Sequence, residues 1–536
     1  MITSATISDL LELTAKLMEL HGENEFKTKA LKNAAYRIYK NNPDLSYQTK
    51  EELEKIDIIG KSVAAKIIEI RETGATRELK TLLEKTPAGI IDMLGVKGLG
   101  PKKVAQLWKE LEIETIGELY YACNENRLVD LKGFGAKTQE SIKESIEFKQ
   151  NNSGKFHYGR IIQEAEKIVS RLKIELGTTL VSLTGEIYRK CEIVDKIEIL
   201  IGSEKKNDFA FDGNIPVVLH YCTPDEFYYE LVRTSSVENH WRELNLEERE
   251  SKICESEEEV YTAVRLPYII PELREGIFEI EAAKNNVLPE TVKFSDLKGV
   301  LHNHSKYSDG QNTIEEMAIR CIELGYSYFG IADHSQSAFY ADGLKPERII
   351  SQHEEIDRLN EKLAPFRIFK GIESDILNDG SLDYDDSILK TFDYVVASVH
   401  TNLKMQEEKA MARLIRAIEN QYTTILGHPT GRLLLSRPGY PINHRKIIDA
   451  CAANGVVIEL NAHPFRLDID WRWIPYCMEK GVMISINPDA HHVDGITDMY
   501  YGVAVARKGM LSKDFCFNAK SCEAADIFFK KKRHLN

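Results

Sequence analysis

At 536 residues and 43% hydrophobic content, the chain is too long for one ordinary domain and has ample material for several cores. Its formal charge of −14 argues against a wholesale nucleic-acid coat, yet the charge is uneven: residues 1–150 hold 23 Lys+Arg against 24 Asp+Glu (−1), and the remainder 47 against 60 (−13). Nine scattered cysteines with no CxxC pair argue against a disulfide framework or a zinc ribbon and fit a reducing cytoplasm; no apolar run reaches the length of a membrane span.

Residues 1–150 predict almost all helix, punctuated by glycine-containing turns. The opening MITSATISDLLELTAKLMEL is an amphipathic helix containing acids, unlike a signal peptide. Three later segments share a helix–turn–helix pattern: LEKIDIIGKSVAAKIIEI, IDMLGVKGLGPKKVAQLW and LVDLKGFGAKTQESIKESI. The second and third carry Gly98-Leu99-Gly100 and Gly133-Phe134-Gly135, followed by Lys102, Lys103 and Lys137. Glycine permits the positive-φ turn and lets backbone N–H groups approach a phosphate at the positive end of the next helix. Lysine adds a sequence-independent charge contact. These segments resemble helix-hairpin-helix motifs and imply largely nonspecific DNA binding. The first departs from the pattern, with Ile58 where the motif has glycine.

Residues 151–290 switch to mixed α/β, with strand-like LVSLTGEIY, KIEILIGS and PVVLHY. The polar stretch NNVLPETVKFSDLKG marks the next boundary, at 285–297. From residue 296, seven strand-like runs alternate with helix-like segments. They are GVLHNH, YFGIADH, RIFKGIE, YVVASVH, TTILGH, VVIELN and VMISINPDAH. They end at His302/His304, His334, Glu373, His400, His428, Asn461 and Asp489/His491; Asp309 follows His304 in the next loop. Ten of the fifteen histidines lie between 302 and 492. In a parallel barrel the strand C-termini converge on one face. Mixed His and carboxylate ligands suit Zn²⁺, Mn²⁺ or Fe²⁺. Such a site activates water and needs no side-chain nucleophile. Arg432 and Arg466 are either phosphate contacts or surface ion-pair residues, and the KKKR run at 530–533 reads as a solvated tail.

The order of these pieces resembles the bacterial family X DNA polymerases that end in a PHP (polymerase and histidinol phosphatase) domain. Supporting segments include FKTKALKNAAYRIYKN, the hairpins, VYTAVRLPYIIPELREG and the His-rich runs. The resemblance implies four parts: a lyase-like helical domain at 1–85, a helix-hairpin-helix subdomain at 86–150, a degenerate polymerase palm at 151–290 and a distorted (β/α)7 PHP barrel at 296–536. It implies two or three metals: a first on His302, His304, Glu373 and Asp489, a second on Glu373, His400 and His428, and a third on Asp309, His334 and His491. Val300 stands where related domains often have Asp.

The family's nucleotidyltransfer pattern is GS-x-R-R, then D-x-D on one strand and a third Asp on another. Here Glu186 replaces the Ser, Lys196-Ile197-Glu198 replaces D-x-D, and Val218 replaces the third Asp. Two Mg²⁺ ions need clustered carboxylates, so polymerase activity is expected to be absent. Lys66 matches the family's lyase position, with Ser62 in place of a neighbouring Lys; the alternative is an exposed helix lysine. The favoured function is a metal-dependent phosphodiesterase on DNA, a 3′–5′ exonuclease or a processor of 3′ ends and abasic sites. The alternatives are a small-molecule phosphate monoesterase of the histidinol-phosphatase type and a non-catalytic DNA-binding scaffold.

Overall fold

The computed structural model describes every residue except 1–2, 42, 44, 46, 57–58, 125–126, 130, 152, 212, 214, 247–251 and 534–536. Two compact units result, Met1–Ser153 and Gly154–Asn536.

The first unit is helical. Helix Ser4–Leu20 starts at Thr3, whose side chain accepts from Thr6 N. Its buried Ile7, Leu11, Ala15 and Met18 recur at helical spacing and join one core with Leu31, Ala35 and Ile38 of helix Glu25–Asn41. Helices Lys61–Thr73, Ala88–Met93, Pro101–Leu111 and Gly135–Asn151 complete the pattern around the hairpins.

The second unit begins with β1 (Phe156–His157), followed by β2 (Val181–Thr184), β3 (Ile193–Val194), β4 (Ile197–Gly202) and β5 (Val217–Cys222). β1 pairs antiparallel with β3. β2 pairs antiparallel with β4, and β4 parallel with β5, in a register that sets Thr184, Glu198 and Val218 side by side. Helix Tyr158–Leu176 packs its apolar face against this sheet.

Seven strands then form the expected barrel. They are β6 (Gly299–Val300), β7 (Tyr328–Ile331), β8 (Arg367–Asp375), β9 (Tyr394–Ser398), β10 (Ile425–Leu426), β11 (Val457–Asn461) and β12 (Ile484–Asn487). Each pairs in parallel with its neighbour in chain order. The circle is drawn together where Asn303 bridges Ala490, with His304 N donating to Ala490 O at 2.9 Å. Side chains alternate with period two: Phe329, Ile368 and Val395 join the outer core beneath the helices, whereas Tyr328, Phe369 and Val396 belong to the inner one. Phe529, from helix Cys522–Arg533, enters that inner cluster and stacks on Tyr394 at 5.2 Å. Fully burying such a ring contributes about 1.5–3 kcal/mol. The KKKR run is therefore not a loose tail. Lys532 is buried and donates to Asn454 O, while Lys530 pairs with Asp526 in the same helix.

The palm-like part and the barrel belong to one compact unit because buried charges join them. Lys508 of helix Met499–Lys508 is almost fully buried, and its Nζ lies 2.5 Å from Glu275 Oε1. Nζ also donates to Arg189 O at 3.0 Å, and Glu275 accepts from Arg189 Nε at 3.1 Å. Glu272 receives Lys190 (2.9 Å) from one side and Arg507 (3.1 Å) from the other. No helix among the described residues is long and apolar enough to cross a membrane, and all nine cysteines are free.

Breaking a buried pair on one side strands the other charge, at about 3–5 kcal/mol. Glu275→Ala is therefore expected to lower unfolding stability by an amount of that order, measured by denaturant titration of the full chain. Burial alone would raise the Glu275 carboxyl; Lys508 and Arg189 outweigh it and hold the carboxyl down at about 2. A depressed folded-state pKa means this stabilisation is present above the ordinary 4.5 and is lost as pH falls toward 2. In Glu275→Ala that portion of the acid-side slope is expected to vanish.

Candidate metal centre

The strand ends deliver their polar residues to one buried cluster. Glu373, near the end of β8, is its middle. Its Oε1 lies 3.2 Å from His302 Nε2, 3.2 Å from His400 Nε2 and 3.0 Å from His428 Nε2. Its Oε2 lies 2.9 Å from His334 Nδ1. Asp489 Oδ1 is 3.0 Å from His304 Nε2 and 3.7 Å from His302 Nε2. Asp309 Oδ1 is 3.4 Å from His491 Nε2 and 3.7 Å from His334 Nε2.

Three groups offer atoms that lie within 4.8 Å of one another: His304, Asp309, His334 and His491; His302, His304 and Asp489; and His334, Glu373 and His400. Eight of the nine residues that the resemblance implies as ligands fall in these groups; the ninth, His428, lies outside them and reaches the cluster through Glu373. His304 and His334 stand between groups rather than in one each.

Backbone geometry contributes to the convergence. His302 (φ +57°), His428 (φ +21°) and Asp489 (φ +52°) occupy left-handed conformations, which cost a non-glycine residue about 1–2 kcal/mol. Neighbours hold two of them. His302 N donates to Tyr394 Oη (3.3 Å) and His428 N to Glu459 Oε1 (3.1 Å).

Glu459 is the residue that run-end reading misses. It lies inside β11, fully buried, and accepts from His302 Nδ1 (2.5 Å), Asn461 Nδ2 (3.0 Å) and Asn487 Nδ2 (2.8 Å). Asp375 likewise accepts from His400 Nδ1 (2.9 Å). The signal was present: a carboxylate in the middle of a buried strand needs partners. These two fix which ring nitrogen of each His faces the cluster. Val300 lies buried in β6 among apolar neighbours, and the carboxylate bracing His302 comes from across the barrel.

The cluster fits divalent metals. With Nδ1 of His302 committed to Glu459, Nε2 faces the oxygens of Glu373 (3.2 Å) and Asp489 (3.7 Å) and makes no hydrogen bond. Asp309 Oδ1 is buried and equally without a hydrogen bond, although two ring nitrogens stand nearby. Ligands on one tetrahedral ion with bonds of about 2.0–2.2 Å lie roughly 3.4 Å apart, the spacing seen here. Acids and imidazoles are strongly coupled: burial would lower His302 and His400, yet the carboxylates around them raise His302 well above its ordinary value and His400 to about 10, so an ion bound there takes the place of a proton. Burial would raise the carboxyls of Glu373 and Asp489, yet the imidazoles around them hold both well below the ordinary range. Burial, with His491 and His334 adding to it, presses His304 down to about 3.

The two arginines part ways. Arg432 is a structural residue: Nη1 pairs with Asp470 (3.0 Å) and Nε donates to Arg466 O (2.9 Å). Arg466 faces the cluster, with Nε 3.6 Å from Asp489 Oδ2.

Residues 301–463 match the PHP domain family, residues 3–76 a helix-hairpin-helix domain and residues 90–147 a SAM-like helix-hairpin-helix tandem. The chain is 33% identical over 97% of its length to DNA polymerase/3′-5′ exonuclease PolX of Bacillus subtilis (strain 168), covering 98% of that protein. The chain belongs to the PHP-bearing family X DNA polymerases. A probable phosphatase of Acetivibrio thermocellus is 29% identical over 35% of this chain and 78% of its own. A crystal structure of histidinol phosphate phosphatase from Lactococcus lactis, complexed with zinc, L-histidinol and phosphate, aligns with TM-score 0.33 and 18% identity over 40% of this chain and 94% of its own.

In this PolX-family chain the palm position differs in kind from the barrel cluster. Glu198 is the one carboxylate in the cross-strand row, beside Thr184 and Val218. It is tied to His220 Nε2 (3.0 Å) and Lys196 Nζ (3.4 Å). Glu186 is half-buried, and burial together with Asp195 raises its carboxyl.

The hairpins show the expected turns. Gly98 and Gly133 adopt φ of +91° and +88°, and a Cβ at either would meet open space, so the backbone there is approachable. Gly100 caps helix Pro101–Leu111, and Gly135 opens the last helix. Lys102 and Lys137 are exposed; Lys103 Nζ lies 5.3 Å from the Phe134 ring. Ile58 lies outside the described residues, whereas Ser62 is the exposed second residue of helix Lys61–Thr73. Lys66 is one-fifth exposed and contacts the Glu78 carboxylate, so its amine is engaged.

Glu459→Gln keeps the size of the His302 partner and removes its charge. Loss of such a partner costs about 10–100-fold in metal affinity. The expected outcome is that order of weakening in a competitive chelator titration, with near-complete loss of bound metal in His302→Ala/His304→Ala.

Proposed function

We propose that the chain is a metal-dependent phosphodiesterase acting on DNA, which trims 3′ ends as a 3′–5′ exonuclease and processes abasic sites or blocked termini in repair. One contrast carries this reading. Nine ligand-type side chains converge at the barrel mouth, whereas the palm row offers one carboxylate already tied to two basic side chains and facing a valine. Template-directed nucleotide addition is absent on this reading, because a pair of Mg²⁺ ions would find too few ligands there. The names of the relatives, an exonuclease and phosphatases, support a phosphate ester as substrate.

Two or three bound divalent ions (Mn²⁺, Zn²⁺ or Fe²⁺) supply Lewis acidity and an activated water. The chain's residues do the remainder. His302, His304, Asp309, His334, Glu373, His400, His428, Asp489 and His491 hold the ions. Glu459 and Asp375 keep His302 and His400 in the tautomer that presents Nε2. Arg466 receives a phosphate oxygen. The hairpins around Gly98–Gly100 and Gly133–Gly135 hold DNA by its backbone, without sequence preference. Lys66 is the residue through which any lyase step would run. The four-part division at 1–85, 86–150, 151–290 and 296–536 assigns DNA holding to the first two parts and hydrolysis to the last.

The deciding measurement is one incubation with Mn²⁺ of labelled single- and double-stranded DNA beside p-nitrophenyl phosphate and histidinol phosphate. Shortening from the 3′ end is expected, with loss of cleavage but not of DNA binding in His302→Ala/His304→Ala. Fast monoester turnover with intact DNA would replace this reading with a small-molecule phosphatase. Robust primer extension from dNTPs would remove the claim about the palm.

A further inference from the structure

The loop that follows β11 carries Arg466 toward Asp489, and it is braced from two sides. Within the loop, Arg466 N donates to His463 O at 2.8 Å and Phe465 N to His463 Nδ1 at 3.2 Å. The barrel side adds Arg432, which donates to Arg466 O at 2.9 Å and also to Leu467 O.

The other brace comes from the palm-like part. The His157 ring lies 4.4 Å from the Phe465 ring, and the Arg160 guanidinium lies 4.8 Å from the same ring. His157 Nε2 donates to Leu434 O at 2.9 Å, and Leu434 N donates to Phe465 O at 2.7 Å. Gly159 lets the two parts close up: a Cβ there would sit 2.8 Å from Pro464 Cβ and 3.2 Å from Tyr501 Cζ. Residues 157–160 thus contact the backbone and side chains immediately before Arg466.

Arg466 itself is only partly engaged. Its Nε stands 3.6 Å from Asp489 Oδ2, too long for a hydrogen bond, and its side chain is one-fifth exposed. A guanidinium in that state can turn its planar donor fork to a phosphate oxygen at the cluster.

We infer that His157 and Arg160, with Phe465, are positioning residues for the barrel reaction: the palm-like part holds the 463–467 loop so that Arg466 meets the substrate phosphate. This rests on the phosphoesterase reading for the identity of the substrate. It gives the palm-like part a task that needs no nucleotide chemistry. The ligand is a phosphate ester or phosphate monoanion or dianion.

The test uses the full chain loaded with Mn²⁺. Inorganic phosphate binding is measured by calorimetry, and KM and kcat with a labelled DNA 3′ end. Arg466→Gln is expected to weaken phosphate binding and raise KM by about tenfold or more, the loss of one charge-assisted hydrogen bond. Arg466→Lys should recover part of it. His157→Ala/Arg160→Ala should move both quantities in the same direction, by about three- to tenfold, with kcat and metal content held. Combined with Arg466→Gln it should add nothing further, because both act through one guanidinium. Phe465→Leu keeps apolar bulk and removes the ring face, so it reads the same contact should the double variant fold poorly. Parental phosphate binding in the positioning variants would overturn the inference, as would multiplicative losses or metal content falling in step. A parent that binds phosphate with these dependences yet cuts no phosphodiester would retain the inference and sink the phosphodiesterase reading alone.

Discussion

A carboxylate sealed from water must be surrounded by positive partners, and Glu373 imposes that demand on the whole barrel. Four imidazoles answer it from four other strand ends: His302, His334, His400 and His428. Each imidazole must present one nitrogen and dispose of the other. For His302 and His400 the disposal falls to Glu459 and Asp375, which are buried carboxylates with their own donors to find. Asn461, Asn487 and Ser337 meet that need. The seven-stranded ring is the frame that lets these requirements be met at once. β6 and β10 stop after two residues, and two residues beyond each the backbone takes a positive φ, at His302 and His428.

Much of this was legible in the sequence. Seven apolar runs, six of them ending in His, Glu or Asp and one in Asn461, correspond to seven strands in the same order, and the nine residues that the resemblance implies as ligands lie together. The pattern is readable because strand periodicity and ligand chemistry are both local properties. What was not readable lies across space. The Glu459 contact with His302 spans 157 residues, and no local pattern announces it. Arg432 looked as available for phosphate as Arg466 until the path of the 463–470 loop consumed its donors. The KKKR run reads as solvated charge because composition does not reveal a helix whose Phe529 fills the barrel. LPYIIPELREG is legible as a family segment, but its Glu272 and Glu275 find their cations in helix Met499–Lys508.

The sheet position around Glu198 and the barrel cluster illustrate how similar side chains meet opposite surroundings. At the palm, Glu198 meets Lys196 and His220 side by side on a half-buried sheet, and the acid and base satisfy each other. At the barrel, acid and imidazole are buried with several of their atoms left without hydrogen bonds. Glu198 has spent its charge on its neighbours, whereas the barrel cluster keeps nitrogen and oxygen atoms that an ion can take. Comparison with the family pattern points to Glu186, Lys196 and Val218; the pairing of Glu198 with His220 depends on strand register, two residues beyond Val218 on the same face.

The closing seam of the barrel has a temporal consequence. His304 and Asp489 meet across 185 residues, and the Asn303–Ala490 bridge that completes the ring sits between the same two segments. Hairpin motifs at 98–100 and 133–135 come much earlier in the chain and depend only on their own helical unit. During synthesis, the helical unit that carries the hairpins is complete long before the segments that close the barrel cluster have emerged. An emerging chain therefore passes through a stage that has its hairpins and lacks the assembled cluster.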